Sequence, residues 1–176
     1  MSDKKTKTNY DDVSIYPLEQ EKIERLLQLQ SEAAVLWSTT DGWPMGVMHR
    51  FVYQDGKFWV TCASQRKRVP AWKKRDKSAI IVSSEGTPLG RDHTLTVKCR
   101  ATVHEDNDEV KSWFYHALAM KMQRGDPEGV ATFEKFLDTP TRVIVELVPE
   151  KWITYDGTKV ASHVSGQWFP EDPWIE

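Results

Sequence analysis

The sequence predicts a mainly antiparallel β-sheet closed into a barrel, with a few helices packed outside it. Three observations predict this. Six or seven segments alternate apolar and polar residues at the two-residue period of a strand. Asp-Gly pairs at residues 41–42, 55–56 and 156–157 punctuate them where short turns are needed. The period changes to a helical one in only a few places, at the start, in the middle and late in the chain.

In chain order, "YPLEQEKIERLLQLQ" (16–30) reads as a helix. Pro17 suits a first turn, Glu19 and Glu21 favour the positive helix start, and Ile23, Leu26, Leu27 and Gln30 form one stripe. "EAAVLWSTT" is a strand. "PMGVMHRFVYQ" is a second, with Met45, Val47, His49, Phe51 and Tyr53 on one face. Asp55-Gly56 then offers a two-residue hairpin turn into "KFWVTCA". "VPAWKKRD" is a short helix and "SAIIVSS" the fourth strand. After the loop "EGTPLGRD", the long strand "HTLTVKCRATVHE" sets Leu95, Val97, Cys99, Ala101 and Val103 against Thr96, Lys98, Arg100 and Thr102. Asp106 or Asn107 caps the helix that follows, Gly125-Asp126-Pro127 breaks it, and "EGVATFEKFLD" makes its partner. "TRVIVELVP" is a strand stopped by Pro149, and "KWITYDG" a short last one.

Length and composition set bounds on these elements. A chain of 176 residues suits one domain. The division expected is a loose tail at 1–16, a body at 17–160 and a C-terminal tail at 161–176 that packs on the body or on a partner subunit. A net charge of −2 argues against a general nucleic-acid binder. No run approaches the roughly 18 apolar residues of a membrane span, and "MSDKKTKTNYDD" lacks the apolar core of a signal peptide. The expected location is cytoplasmic. Cys62 and Cys99 fall in step with apolar neighbours, as small buried hydrophobes. Eight Trp is an unusual count, and such rings fill cores, pockets and subunit interfaces alike.

One segment departs from this balance. Residues 61–84, "TCASQRKRVPAWKKRDKSAIIVSS", hold seven Lys and Arg in a chain with 24 basic and 26 acidic residues. The cluster lies at a strand-to-helix junction, where amides at a helix start attract phosphate. Arg66 and Arg68 add bidentate forks, Lys67 a point charge and Ser64 a hydroxyl. The segment reads either as a phosphate-ester site or as a solvated surface loop. Lys73, Lys74 and Arg75 read either as a solvated helix face or as charge for a longer anionic tail. No HExxH, CxxC or GxSxG motif is present, and the histidines at 49, 93, 104, 116 and 163 lack metal-site spacing. No metal and no side-chain nucleophile is expected.

In their order, these features resemble the pyridoxamine 5'-phosphate oxidase-like family of flavin-binding split barrels. The resemblance runs over residues 18–156. It rests on the leading helix, "VYQDGKFWVTCA", "SQRKRVPAWKKRDKSAIIVS", "TVKCRATVHED", the helical insertion and "RVIVELVPEKWITYDG". It implies a split β-barrel homodimer with a flavin at the subunit interface and a small organic substrate. It implies that Lys67 and Arg68 hold the flavin phosphate, with Arg66 and Ser64 beside them. Trp72 is implied in the cofactor set as well; the chain departs from the family where Ala71-Trp72 stands for the usual Asn-Leu and Asp76 is followed by Lys77 instead of Pro, which leaves open which of Arg66, Lys67 and Arg68 carries the phosphate. Val47, Met48, His49 and Arg50 are implied along the isoalloxazine ring, with Arg50 stabilising the reduced form. The bland alternative for His49 is a partly buried structural histidine, and for Arg100 a cross-strand ion pair. The implied activity is hydride transfer by an FMN- or coenzyme F420-dependent oxidoreductase. Two alternatives stand beside it: a haem-binding or haem-degrading protein with His163 as iron ligand, and a non-catalytic flavin-binding protein.

Overall fold

In the computed structural model, which describes residues 13–164, the strands close into a barrel. They are β1 (Glu32–Ser38), β2 (Pro44–Gln54), β3 (Lys57–Ala63), β4 (Lys77–Ser83), β5 (His93–His104) and β6 (Arg142–Asp156). Their order around the barrel is β1-β2-β3-β6-β5-β4, and every neighbouring pair is antiparallel. The turn between β2 and β3 has positive φ at both central residues, Asp55 (53°) and Gly56 (74°). That backbone matches the twist of the strands it joins and favours Asp-Gly there.

The inward faces of the six strands form one core. Val35, Phe51, Phe58, Val60, Ile80, Val82, Leu95, Val97, Val145 and Leu147 are fully buried in it. Cys62 and Cys99 are buried there and unbridged. A second apolar cluster lies outside the barrel. There α3 (Asp108–Met122) and α4 (Pro127–Leu137) cover Val52 and Trp59 with Phe114, Tyr115, Leu118 and Leu137. Burying a Phe or Leu of this kind is worth about 2–3 kcal/mol. Asn107 caps α3 by accepting from the Val110 N–H (3.0 Å), and Asp126 caps α4 by accepting from that of Gly129 (2.9 Å). The short α2 (Arg68–Lys74) links β3 to β4. No helix among the described residues is long and apolar enough to cross a membrane.

Three boundaries differ from the sequence reading. Helix α1 (Gln20–Leu29) starts after Pro17 rather than at it. The preceding chain is extended because it docks on β6: the Asp156 N–H donates to the Tyr16 carbonyl (2.9 Å) and the Leu18 N–H to Thr154 Oγ1 (3.1 Å). Tyr16 is accordingly buried, and Val13–Ile15 forms a 3-10 turn, so part of the expected tail belongs to the body. Pro149 does not stop a strand, because β6 runs through it. Cys99 pairs with Pro149 and Lys98 with Lys151, so Glu150 is the extra residue of a bulge, a place that tolerates proline. Finally, Asp156-Gly157 opens a helix, α5 (Gly157–Val164). Asp156 caps it by accepting from Thr158 N (3.1 Å) and Oγ1 (2.6 Å). A Cβ on Gly157 would fall 2.4 Å from that of Asp92, so glycine is required there. Residues 165–176, with Trp168 and Trp174, lie outside the described residues, as does the side chain of His163.

Candidate functional site

The register of β3 against β6 builds the site. Ala63, the last residue of β3, pairs with Arg142, the first of β6, and the Ser64 N–H donates to the Thr141 carbonyl (2.7 Å). The polar loop after β3 therefore turns over the start of β6, and Arg142 joins Arg66 and Arg68. The three line one cleft of about 310 Å3 that runs from β2 to α4. Met48, His49 and Arg50 form its β2 wall, and Phe133 and Phe136 its α4 wall. No carboxylate lines it.

The electrostatics point to an anionic ligand. Nε of Arg68 and Nε of Arg142 are both buried without a hydrogen-bond partner, as is Nε2 of His49. A buried donor left unmade costs about 1–3 kcal/mol, more when charged. Both guanidiniums line the cleft beside that of Arg66 and make it strongly positive. The donors fit a phosphate ester: guanidinium forks, with no acid to repel it. Burial pushes the His49 imidazole down to about 4, assisted by the Arg68 charge and opposed by the Thr61 backbone. His49 is thus neutral at physiological pH and offers a hydrogen bond without adding charge.

The predicted site residues divide into two groups. Met48, His49, Arg50, Arg66 and Arg68 come together in the cleft. Arg50 sits at its rim, bonded to Ser31 Oγ (2.9 Å) and paired with Glu32 (3.1 Å). Val47, Ser64, Lys67 and Trp72 do not line the cleft. Val47 pairs with Val35 and is half-buried. Ser64 uses its amide in the Thr141 bond, and Lys67 projects into solvent. Trp72 is 1% exposed and packs edge-on against Trp37 (5.8 Å) behind His49. Its bulk fixes the His49 wall from behind. Helix α2 has seven residues, and two amides of its approach are already bonded, Arg66 N to Ala63 O and Val69 N to Arg66 O. Side-chain guanidiniums, rather than a helix start, supply the positive field. Three other basic residues are engaged: Lys73 with Glu105 (2.5 Å), Arg75 with the Ser38 carbonyl (3.1 Å), and Arg100 with Asp76 (3.0 Å) and Glu150 (2.7 Å).

The depressed His49 has a measurable consequence. Its unfolded pKa is about 6.5, so between pH 6.5 and 4 the unfolded chain binds a proton that the folded chain does not. Stability falls as pH falls through that window, by about 2 kcal/mol between pH 7 and 4.5. Urea unfolding of wild type and His49→Gln at both pH values measures this, and the variant is expected to lose correspondingly less. Equal losses in the two proteins would refute the assignment.

No family model and no curated protein matches the sequence. Solved structures do match in fold. A conserved hypothetical protein from Mycobacterium tuberculosis aligns with a TM-score of 0.68 at 12% identity, over 82% of this chain and 88% of that one. HutZ, the haem storage protein from Vibrio cholerae, gives 0.60 at 14%, over 77% and 94%. A candidate pyridoxamine 5'-phosphate oxidase from Listeria innocua gives 0.57 at 14%, over 76% and 95%. An FAD-binding protein from Mesorhizobium loti (0.57) and an F420 reductase (0.55) share the architecture. The chain therefore has the split-barrel fold of the pyridoxamine 5'-phosphate oxidase-like proteins. Proteins of this fold include flavin-binding, F420-linked and haem-binding members.

Proposed function

We propose that this chain is a flavin-dependent oxidoreductase that holds FMN by its phosphate in the Arg66–Arg68–Arg142 cleft and transfers hydride to or from a small organic substrate. The observation that carries the reading is the pair of buried, unpartnered arginine Nε atoms on a wall without carboxylates. A bound flavin supplies the hydride chemistry itself. The chain supplies position and field: the three guanidiniums anchor the anion, Met48 and Arg50 present the β2 edge to the ring, and neutral His49 offers a hydrogen bond. Of the charges that could meet the longer anionic tail of coenzyme F420, Lys73 is paired with Glu105 and Arg75 with the Ser38 carbonyl, while Lys74 is exposed, so the titration below decides between the two cofactors.

The same reading includes a homodimer. Met48 of β2 (60% exposed) lines the cleft, and Met45 (46%) and, just before the strand, Trp43 (68%) are exposed as well; a second copy covering Met48 would cover the flavin with it. Sedimentation of wild type and Met48→Glu tests this. The wild type is expected to run as a dimer and the variant to shift at least partly to monomer; a monomeric wild type would overturn the dimer.

The function itself is tested by absorbance titration of the purified protein with FMN, coenzyme F420 and haemin in parallel, followed by assays of reduced cofactor with candidate acceptors. Saturable binding of one flavin and its turnover are expected. Binding without turnover on any acceptor would leave a flavin-binding module. Haemin binding alone would move the chain to the haem class, in keeping with its likeness to HutZ.

A further inference from the structure

Helix α3 turns a charge toward the body of the protein. Phe114, Leu118 and Lys121 follow one another at i, i+4 and i+7, so the lysine falls on the stripe that the two apolar residues bury. Its Nζ donates to the Leu27 carbonyl in the last turn of α1 (3.0 Å) and to the Phe51 carbonyl of β2 (3.3 Å). It lies 4.0 Å from the centre of the Phe51 ring. Burial pushes its ammonium down to about 8. At pH 8 about half of the molecules therefore carry the free amine, against less than ~1% for an ordinary lysine. The same lysine lines a cavity of about 410 Å3 between α1, β2 and α3, together with Glu24, Leu27, Gln28, Val52 and Tyr53. This cavity shares no lining residue with the arginine cleft.

We propose that Lys121 is a carbonyl-reactive amine and that this cavity takes small uncharged aldehydes, which Lys121 binds covalently as an imine. The amine nitrogen attacks the carbonyl carbon and gives up its two protons; the carbonyl oxygen takes them up and leaves as water. A C=N bond replaces the C=O bond, nothing is oxidised or reduced, and the aldehyde is the one reactant needed. A neutral amine has two N–H groups, and with both donated to the Leu27 and Phe51 carbonyls its lone pair is left for the electrophile. The protonated imine keeps one N–H for the same carbonyls. Leu27, Val52 and the Tyr53 ring give the cavity apolar walls for an alkyl group. No arginine or second lysine lines it and Glu24 does, so a carboxylate or phosphate on the ligand is repelled. The arginine cleft has the opposite preference.

Reductive labelling tests the site. The full chain is treated with butyraldehyde or with glyoxylate in the presence of cyanoborohydride, which fixes each imine as a secondary amine, and the labelled lysines are mapped by peptide mass. At pH 7.5 butyraldehyde is expected to label Lys121 about tenfold faster than Lys67, which is exposed. The free-amine fraction favours Lys121 by on the order of a hundredfold, and its lower basicity offsets part of that. Labelling of Lys121 should level off above about pH 8 while that of Lys67 keeps rising. Glu24 of α1 and Tyr53 of β2 are the other ionisable residues lining the cavity. Burial and the Glu24 charge push the Tyr53 hydroxyl up, so it stays protonated over this range. Anionic glyoxylate should show no preference for Lys121, and Glu24→Gln should raise its labelling there about threefold while leaving butyraldehyde unchanged. Lys121→Arg, which still has donors for the two carbonyls, should lose the one fast site from the intact mass. Labelling of Lys121 no faster than of Lys67, or a fast site retained in Lys121→Arg, overturns the reactive amine. Equal preference for the two aldehydes overturns the choice of uncharged ligands.

Discussion

Asp156→Ala is expected to destabilise the fold by about 3 kcal/mol, the scale for breaking a buried charged pair. Asp156 is fully buried where three parts of the chain meet. Its carboxylate accepts from Lys22 of α1 (2.7 Å) and from Thr158 at the start of α5, and His93 of β5 stands 3.4 Å away. Its amide fastens the Tyr16 carbonyl. The first helix, the long strand β5 and the last helix are thus tied through one side chain. Lys22 is partly exposed and recovers some hydration when its partner is removed, which keeps the loss below the upper end of the range. In a domain of this size the shift corresponds to roughly 10 °C in midpoint. Thermal and urea unfolding of the variant check it, and a loss under about 1 kcal/mol would refute the clasp.

The clasp also has a pH signature distinct from that of His49. Burial alone would raise the Asp156 carboxyl, but the hydrogen bonds from Lys22 and Thr158 outweigh burial and hold it below the ordinary range. A carboxylate with a depressed folded pKa stabilises above its unfolded value and loses that contribution as pH falls through the folded one. Its loss therefore begins below about pH 4, after the His49 contribution has already gone. Wild type should show both phases on acidification and Asp156→Ala a smaller lower one, the remainder coming from carboxyls such as Glu146, also held below the ordinary range against burial by its bonds to Lys57 and His104.

How much of this was legible in the sequence depends on the range of the contact. The alternation along β5 and the Asp55-Gly56 turn follow from local rules, so barrel class and hairpin register were readable. The bulge at Pro149 was not, because it depends on a neighbouring strand that can skip a residue. The docking of Tyr16 on β6 and the opening of α5 by Asp156 share that dependence on distant partners. The same holds for the site. The basic loop at residues 64–68 stands out by composition, but Arg142 lies far along the chain and is brought beside it by the Ala63–Arg142 pairing. Its signal was present, an arginine opening the apolar strand "TRVIVEL", and it needed the strand order to be interpreted. Trp72 shows the converse. Its position next to the basic run suggested a ligand contact, while the short helix turns its ring inward, against Trp37.

Arg68→Ala combined with Arg142→Ala is expected to weaken FMN binding by a hundredfold or more. Each guanidinium is placed to give a charge-assisted hydrogen bond worth about 1.5–3 kcal/mol, and 1.4 kcal/mol is tenfold in affinity. Lys67→Ala, a change at an exposed side chain outside the cleft, should cost no more than about threefold, although the family resemblance implied Lys67 together with Arg68 as holders of the phosphate. Riboflavin, which lacks the phosphate, should bind weakly and be indifferent to the double change. The unliganded protein supplies the second half of the test. Holding two guanidinium Nε atoms buried without partners opposes folding, so removing them should leave stability unchanged or raise it. Loss of FMN binding together with undiminished stability is the signature of residues kept for a ligand rather than for the fold. Retention of FMN affinity by the double variant would show that the flavin does not bind through these arginines. A large loss of stability would show that they serve the barrel instead.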